Sequence, residues 1–510
     1  MPIHWRKILP NDTLSGLQFF QLFRYGSVFL ISIILPRAGL LPDQVGIFEA
    51  FLFFAGVVSY FWVTGLIQAL LPLASIEEED RGTKKKTDGR KKDRETKKKI
   101  DGRKKDRQTK HPKQNLNSSA FRSSSSSSVY RSSSSSPVFR SSSSSPASRE
   151  FFNAFLLLLL FSALAAGTLL LASPVLGRLL GQELPRGIIW LVVLYLVLFA
   201  PSTLVEYWYV ITGHTKKLVR YGIVAFTLQI FLVGIPVILG FGVKGAIWGM
   251  IAAGGFRMTW ILVILISNGE FRVSFPFWKK YLDLGTPIIM SVLLSGSAQY
   301  VNGFIVSAKF DPGMFAIFRY GARELPLVAL LAHALSNAIV PSITRDGPAA
   351  GLKQLKERSS RMVSWMFPLT IGLVLLAYFL FPAVYGRNFL ESAGVFNLFL
   401  LLITSRLLFP QTVLIAMKKT RILMTAAFFE LIINVGLSLI LVQLWGIRGV
   451  ALATVIAYYF ERAFLMTYTR VVMGIPARQY MDVRKHFSWS VILLIAYLLA
   501  ELVIYPLIRG

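Results

Sequence analysis

The stretch FFNAFLLLLLFSALAAGTLLLASPVL, residues 151–176, runs for 26 residues without a charged side chain. About 20 mainly apolar residues in a helix cross the roughly 30 Å of hydrocarbon in a bilayer. This run is therefore long enough to span a membrane, and similar runs recur along the chain. Of the 510 residues, 54% are hydrophobic and the mean hydropathy is +0.56, which is typical of a membrane protein and not of a soluble domain.

The apolar runs predict thirteen membrane-spanning helices. An open sheet cannot satisfy its backbone in lipid, and the runs are too long for barrel strands, so we predict an all-α polytopic membrane protein. The predicted spans lie near residues 15–35, 44–71, 151–176, 187–212, 217–240, 244–267, 278–306, 313–342, 360–382, 391–416, 419–443, 447–470 and 487–508.

The short connections between these runs alternate in charge. One set carries basic clusters such as Lys418, Lys419 and Arg421, whereas the opposite set carries single basic residues such as Arg37 and Arg387. Basic short loops stay in the cytoplasm. This pattern predicts a cytoplasmic N-terminus and a C-terminus on the opposite side.

A basic, serine-rich segment separates the second and third predicted spans. It holds 21 of the 55 Lys and Arg residues, in two copies of a 13-residue unit (83–95 and 96–108) followed by serine tracts. Such a composition cannot bury enough apolar surface to order a chain. We interpret residues 77–149 as a disordered cytoplasmic insertion. Binding of nucleic acid or of anionic lipid heads is the alternative; we favour a loop that reinforces topology and expect no nucleic-acid partner.

The chain has no cysteine, and its five histidines are scattered. Disulfides, thiolate chemistry and Cys-based zinc sites are therefore excluded. A G-x-x-x-x-G-K-[ST] phosphate loop and a hydrolase nucleophile elbow are also absent from the sequence. We expect no cofactor, no metal site and no enzymatic activity.

Outside the insertion, the chain contains two similar halves. Parallel repeats of this kind are typical of transporters in which the substrate site lies between the halves and access alternates. We therefore predict two parallel-repeat six-helix lobes around a central cavity, plus one extra C-terminal helix. The matching stretches are LPDQVGIF (41–48) with DPGMFAIF (311–318), QALLP (68–72) with NAIVP (337–341), and FGVKGAIWG (241–249) with WGIRGVALA (445–453).

The repeat and the insertion together predict the domain boundaries. The first lobe is divided by the insertion, and the last helix lies outside the repeat. The predicted segments are 1–76 (helices 1–2), 77–149 (insertion), 150–270 (helices 3–6), 271–472 (helices 7–12) and 473–510 (a peripheral helix 13).

Several arginines lie at membrane depth, where an unpaired charge is costly and marks a candidate functional site. Arg319 and Arg323 are four residues apart, which predicts both guanidinium groups on one helix face. Because arginine binds phosphate bidentately and stays charged, we predict a cationic cavity for an anionic headgroup such as a phosphate or pyrophosphate. The candidate substrate-binding residues are Arg24, Arg319, Arg323, Arg257, Arg406 and Arg462.

The alternative for these arginines is a structural ion pair with an acid at similar depth, for example Arg323 with Glu430. Both interpretations stay open from the sequence. The available acids are Glu206, Glu324, Glu430 and Glu461, with Glu49 nearer the membrane surface.

Three stretches carry a resemblance to a known family. RYGSVFLISIILPRAGLLPDQVGIFEAFLFF (24–54) resembles the first two helices of bacterial polysaccharide, or O-antigen type, flippases. These proteins belong to the multidrug/oligosaccharidyl-lipid/polysaccharide exporter superfamily. IFRYGARELPLVALLAHALSNAIVP (317–341) is similar to the eighth helix of that family, and GIRGVALATVIAYYFER (446–462) to its twelfth.

The resemblance implies a function and a location. It implies that an undecaprenyl-diphosphate-linked oligosaccharide moves from the cytoplasmic to the periplasmic leaflet of a bacterial inner membrane, for polysaccharide or lipopolysaccharide biosynthesis, by alternating access. It also implies membrane lipids and polysaccharide polymerase or assembly machinery as partners. The insertion and the odd number of spans depart from the family pattern.

Four other functions remain open at this point. Two lie within the superfamily, namely a multidrug/cation antiporter and a lipid II flippase. An antiporter is expected to offer buried acids to an organic cation, whereas the first helix here offers Arg24. A membrane glycan polymerase or ligase would need a larger loop on the outer side. A scaffold would act through residues 77–149.

Overall fold

The computed structural model describes residues 13–70, 73, 147–179, 186–268, 271–323, 326–345 and 347–509. These residues form helices joined by short turns, and no strand occurs among them. The predicted all-α class is confirmed. The predicted insertion, 77–149, lies outside the described residues except for its last three, which open the helix that begins at Ala147.

Helices follow one another along the whole described chain. The first half contains α1 (Thr13–Arg37), α2 (Pro42–Leu70), α3 (Ala147–Leu179), α4 (Arg186–Ser202), α5 (Leu204–Ile211), α6 (Thr215–Pro236) and α7 (Gly242–Asn268). The second half contains α8 (Phe275–Lys309), α9 (Pro312–Gly321), α10 (Pro326–Arg345), α11 (Pro348–Tyr385), α12 (Leu390–Leu400), α13 (Leu402–Arg406), α14 (Pro410–Ala416), α15 (Thr420–Val471), α16 (Val483–Leu499) and α17 (Tyr505–Arg509). Short 3-10 or π turns occupy Val237–Phe241, Arg387–Phe389, Ala477–Gln479 and Ala500–Ile504.

Nine continuous helical stretches within the described ranges are long and apolar enough to cross a membrane. Two of them, Thr215–Asn268 and Thr420–Val471, contain 54 and 52 residues. Each is long enough to cross twice, and each bends near its middle, in agreement with the pairs of spans predicted there. The predicted seventh and eighth spans are helical, as α8 and α9–α10, but are not among the nine. The total of thirteen stays a prediction.

The two long stretches bend at equivalent glycines. Gly242 has φ +61° and ψ −153°, and Gly446 has φ +56° and ψ −137°. The two residues occupy the same place in FGVKGAIWG and WGIRGVALA. A side chain is strained in this region of φ/ψ space, so only glycine adopts it readily. The repeat in the sequence therefore corresponds to a repeated backbone conformation.

Replacing Gly446 with alanine should destabilise the protein by about 1–3 kcal/mol, the usual cost of this backbone region for a side chain. The added Cβ itself would meet only the Phe310 ring, at 3.8 Å, so the loss comes from the backbone. The measurement is the thermal unfolding midpoint of the purified protein in detergent. Gly436→Ala in the same helix, where a Cβ meets nothing within 4 Å, is the control. Equal midpoints for the two variants would contradict the prediction.

The buried apolar side chains among the described residues form three clusters. The largest runs through the second half and includes the ends of α1 and α2 that lie nearest the α1–α2 turn, such as Leu35 and Val45. A second cluster joins the opposite ends of these helices, such as Phe20 and Leu70, to α3, α5–α7 and the start of α8. A small third cluster around Leu414 belongs to the second half. The two halves thus share a core on the predicted outer side.

The last predicted span packs beside α11 and is tied to the second half by a polar network. Arg448 Nη1 lies 2.9 Å from Glu501 Oε2, and the Tyr378 hydroxyl donates to Glu501 Oε1 at 2.5 Å. The Arg448 guanidinium also lies over the Tyr505 ring, 4.7 Å from its centroid. Only 17% of the apolar window in Val483–Arg509 is buried inside the protein. The peripheral place of this helix stays a prediction.

Candidate functional site

The six candidate arginines fall into three pairs, and each pair faces one buried glutamate. Glu206 lies within electrostatic reach of Arg24 and Arg257. Glu49 contacts both Arg319 and Arg323, and Glu430 lies within reach of both Arg406 and Arg462. A charge in a membrane interior needs such a partner.

Glu49 lies at the junction of the two halves. Its carboxylate lies 3.4 Å from Arg319 Nε through Oε2 and 3.2 Å from Arg323 Nη2 through Oε1. Arg323 Nη1 also donates to Ser32 Oγ at 2.5 Å. Glu49 and Ser32 belong to α2 and α1, whereas both arginines belong to the second half. One carboxylate with two guanidinium groups leaves the cluster of Glu49, Arg319 and Arg323 with a net positive charge.

The two arginines do not share one helix face, so that prediction is wrong. Helix α9 ends at Gly321, and Arg323 lies beyond its C-terminus. The physical reason lies in Pro326, whose ring clashes with the carbonyl of the residue four positions earlier and ends the helix there. The turn nevertheless brings Arg323 to the same carboxylate as Arg319. Its guanidinium lies over the Tyr320 ring, 4.5 Å from the centroid.

Backbone packing holds the halves together beside this carboxylate. A Cβ built on Gly46 would overlap the carbonyl group of Pro312, and a Cβ on Gly313 would lie 2.5 Å from Asp43 Oδ1. The start of α2 and the start of α9 are therefore in direct contact. Glycine permits an approach that a side chain would prevent.

The residues that meet here are equivalent in the repeat. Pro42 corresponds to Pro312 with an offset of 270 residues, and the same offset takes Glu49 to Arg319. The repeat therefore places an acid in one half at the position of a base in the other. The two side chains form an ion pair across the junction.

Arg24 lies deeper along α1 and has a partner within its own half. Its Nη1 lies 3.6 Å from Glu206 Oε2, and its side chain is 37% exposed. Eight residues separate Arg24 from Ser32, which corresponds to about 12 Å along a helix axis. Arg24 therefore forms a second cationic position on α1, apart from the point at which Arg323 contacts Ser32 of this helix.

Arg257 and Arg462 are enclosed within their own halves and are only 6% and 4% exposed. Arg257 Nη2 donates to Gln229 Oε1 at 2.7 Å, and Arg462 Nη1 donates to Gln411 Oε1 at 2.6 Å. The Arg257 guanidinium is also covered by the rings of Phe199 and Phe226. This geometry favours a structural part for the two residues, and substrate contact by either of them stays a prediction.

Arg406 belongs to the group around Arg462. Its guanidinium lies over the Tyr458 ring, 4.5 Å from the centroid. Arg462 Nη2 is also 3.6 Å from Glu461 Oε2. With two bases and the acids Glu430 and Glu461, this group carries little net charge. It is less suited to an anion than the junction at Glu49.

The sequence indicated the arginines but not their shared partner. Arg323 contacts Glu49 and not Glu430, which lies with Arg406 and Arg462. Glu324 lies outside the described residues. The sequence feature that could have identified Glu49 as their partner is its position in the repeat, which is equivalent to that of Arg319.

Arg319 and Arg323 are both paired with Glu49 and accessible to a ligand. Their side chains are 36% and 28% exposed, whereas the Glu49 side chain is only 6% exposed. Several of their N–H groups are therefore free to bind an anion with acceptor oxygens. In the described part of the chain, no three His, Asp or Glu side chains come together in a way that could hold a metal ion.

Comparisons with solved structures agree with this architecture. The chain is similar to a lipid II flippase, MurJ, in an inward closed conformation, with a TM-score of 0.58 and 15% identity, covering 96% of this chain and 99% of that one. It is also similar to an inward-facing multidrug resistance MATE family transporter of the MOP superfamily, with a TM-score of 0.50 and 13% identity, covering 98% and 99%. At this identity, the likeness shows the fold alone.

Comparisons of sequence are more specific. A probable lipid II flippase MurJ of Bdellovibrio bacteriovorus is 23% identical over 247 residues, which cover 44% of this chain and 46% of that protein. The chain thus spans about half the length of the curated relative that it matches. A family model described as polysaccharide biosynthesis protein matches residues 139–394, half of the chain. The chain therefore belongs to the polysaccharide biosynthesis protein family.

Proposed function

We propose that this protein flips an undecaprenyl-diphosphate-linked oligosaccharide from the cytoplasmic to the periplasmic leaflet of a bacterial inner membrane. The observation that carries the proposal is the pair Arg319 and Arg323, which share the single carboxylate of Glu49 between the two halves. The excess positive charge and the accessible N–H groups suit a diphosphate, which offers several acceptor oxygens and more than one negative charge.

Arg24 extends the site along α1. A headgroup that enters from the cytoplasmic side would meet Arg24 first and Arg319 and Arg323 about 12 Å further along the helix, by the rise of 1.5 Å per residue. Arg24 is 37% exposed and can therefore contact a ligand without rearrangement of its half. Two successive cationic positions would guide the headgroup while the polyprenyl chain stays in lipid. Arg257, Arg406 and Arg462 would stabilise the halves around this path.

Lipid II is the second candidate substrate. The likeness to a probable lipid II flippase from Bdellovibrio bacteriovorus favours it, and the cationic junction would suit its headgroup equally well. A multidrug or cation antiporter fits less well, because the accessible charges beside Glu49 are the guanidinium groups of Arg319 and Arg323, whereas the Glu49 carboxylate is buried.

We place the remaining predicted features around this function. The N-terminus and the insertion 77–149 would lie in the cytoplasm, and the segments 1–76 and 150–270 would form the first lobe. Residues 271–472 would form the second lobe, with 473–510 as its attached helix. Alternating access would close the junction of α2 with α9 on the periplasmic side and then open it.

Gly46→Ala should slow transport at least about fivefold. The added methyl group would overlap the Pro312 carbonyl, which belongs to the backbone and cannot rotate away. Overpacking costs about 1–3 kcal/mol, so the closed state at this junction would be disfavoured by about fivefold to 150-fold. The measurement is the initial rate of translocation in proteoliposomes. Gly372→Ala, where a Cβ has free space within 4 Å, should keep the normal rate, and equal rates for both variants would contradict the prediction.

Translocation by the wild-type protein tests the function itself. Proteoliposomes would contain a fluorescent polyprenyl-diphosphate oligosaccharide, and the fraction accessible to an external quencher would be followed over time. A parallel assay would use lipid II. Protein-dependent movement of the oligosaccharide lipid supports the proposal, whereas movement of lipid II alone would make lipid II the substrate. No movement by correctly folded protein, together with proton-driven export of a cationic dye, would replace the flippase by an antiporter.

A further inference from the structure

We infer that Glu49 occupies the place of the substrate's phosphate group, so that the bound diphosphate displaces it and weakens the contact between the halves. This inference rests on the proposed function and adds a positioning residue to it. Glu49 would hold the two arginines in place while no substrate is bound. A diphosphate, which binds the guanidinium groups more strongly, would then replace Glu49 as their partner.

The Glu49 carboxylate contacts the two arginines in the way that a phosphate group would. Two oxygens on one carbon reach two guanidinium groups, at 3.4 Å to Arg319 Nε and 3.2 Å to Arg323 Nη2. Both distances are longer than the distance of about 2.7–2.9 Å that is usual for a charge-assisted hydrogen bond. Both arginines are thus held in position by contacts that leave room for a closer partner.

The charges favour replacement of Glu49 by a diphosphate as the partner of the two arginines. A carboxylate brings one negative charge to two positive ones, whereas a diphosphate brings more charge and more acceptor oxygens. The arginines are 36% and 28% exposed, so a ligand can reach them from their accessible side and then draw both guanidinium groups away from Glu49. Ser32 would keep its contact with Arg323 Nη1 and hold that guanidinium in orientation.

Displacement of Glu49 would weaken the contact between the two halves. Both ion pairs of Glu49 join α1–α7 to α8–α17. The remaining contacts at this side include the donation from Arg37 Nε to the Val384 carbonyl, at 3.0 Å, and the packing of Gly46 on Pro312. Substrate binding would therefore loosen the junction without disrupting it.

The first test measures competition directly with inorganic pyrophosphate as the probe. Glu49→Gln keeps the shape of the side chain but removes the charge that competes for the arginines. Its affinity for pyrophosphate, measured by calorimetry on the purified full chain, should rise about tenfold, the scale expected when a charge pair at an interface is removed as a competitor. Glu501→Gln is the matched control, because Glu501 contacts Arg448 within the second half and neither residue belongs to the cationic site; it should leave this affinity unchanged.

The second test reports on the contact between the halves. The chain has no cysteine, so Asp43→Cys with Gly313→Cys provides a disulfide reporter free of background. Its cross-linking should decrease as pyrophosphate is added to the otherwise wild-type protein. In the Glu49→Gln background it should start lower and respond little. Arg37→Cys with Val384→Cys, joined by a short bismaleimide because the Arg37 side chain spans the gap between them, provides a second reporter if the first pair impairs folding.

The outcomes separate this inference from the proposed function. Pyrophosphate binding that is lost in Arg319→Ala/Arg323→Ala, but is unchanged in Glu49→Gln and has no effect on cross-linking, would overturn the inference and leave the cationic site intact. No pyrophosphate binding by the wild-type protein would overturn both. Tighter binding in Glu49→Gln with ligand-dependent loss of cross-linking would establish the competition.

Discussion

Arg319→Ala/Arg323→Ala should reduce the rate of lipid-linked oligosaccharide translocation by at least about 30-fold, since truncating one partner of a buried charge pair costs about 2–5 kcal/mol. The two side chains supply the excess positive charge at the junction and its exposed N–H groups. Without them, the diphosphate would meet only the buried carboxylate of Glu49 on this side. Translocation in proteoliposomes at matched protein density is the measurement.

Two controls decide how such a loss is interpreted. Removal of both arginines leaves Glu49 without its partners, which could harm folding. The triple variant Glu49→Gln/Arg319→Ala/Arg323→Ala relieves that charge and should still fail to transport. Lys244→Ala/Arg387→Ala removes the same number of charges from exposed positions and should transport normally. Normal transport by the arginine double variant would show that the arginines serve only the contact with Glu49.

Arg462→Met should give the largest loss of stability among single substitutions considered for this protein. Arg462 is only 4% exposed and contacts Gln411 Oε1 at 2.6 Å and Glu461 Oε2 at 3.6 Å. Glu430, only 6% exposed, lies within its electrostatic reach. Breaking a buried pair by removing one partner costs about 3–5 kcal/mol, because the other charge stays buried without compensation. Yield in the membrane and the thermal midpoint in detergent should both fall sharply.

A second substitution distinguishes charge from packing at this position. Arg462→Met/Glu430→Gln removes a carboxylate that the first change leaves uncompensated and should recover part of the midpoint. Arg470→Met, on the exposed surface of the same helix, should cost little. A midpoint of Arg462→Met equal to that of Arg470→Met would show that the enclosed arginine contributes nothing to the half in which it lies.

The class of fold could be predicted because it depends on long apolar runs and a repeated pattern. The run at residues 151–176 is helical throughout, and the pairs of predicted spans on either side of Gly242 and Gly446 match the two bends. Glycine appears in the sequence wherever this backbone conformation is needed, so the repeat could be recognised without the structure. The total number of spans depends on less apolar segments, such as α8, and is not determined by this pattern.

The candidate site could be predicted only in part, because its partners come from distant parts of the chain. The arginines stood out because charge is rare in apolar runs, but nothing local showed that Arg319 and Arg323 both reach Glu49, some 270 residues away. The end of α9 at Gly321 also altered the geometry that a continuous helix would give. Helical spacing describes neighbours on one element and carries no information about contacts between halves.

The equivalence of Glu49 and Arg319 bears on how such a protein could arise. If two identical copies associated about a twofold axis, each surface position near that axis would face its own duplicate. Two glutamates or two arginines would then repel, and no single residue at this position could satisfy both copies. Fusion of the copies into one chain lets the two positions diverge and acquire opposite charges. The ion pair is thus a feature that a homodimer cannot build, and it favours retention of both copies in one gene.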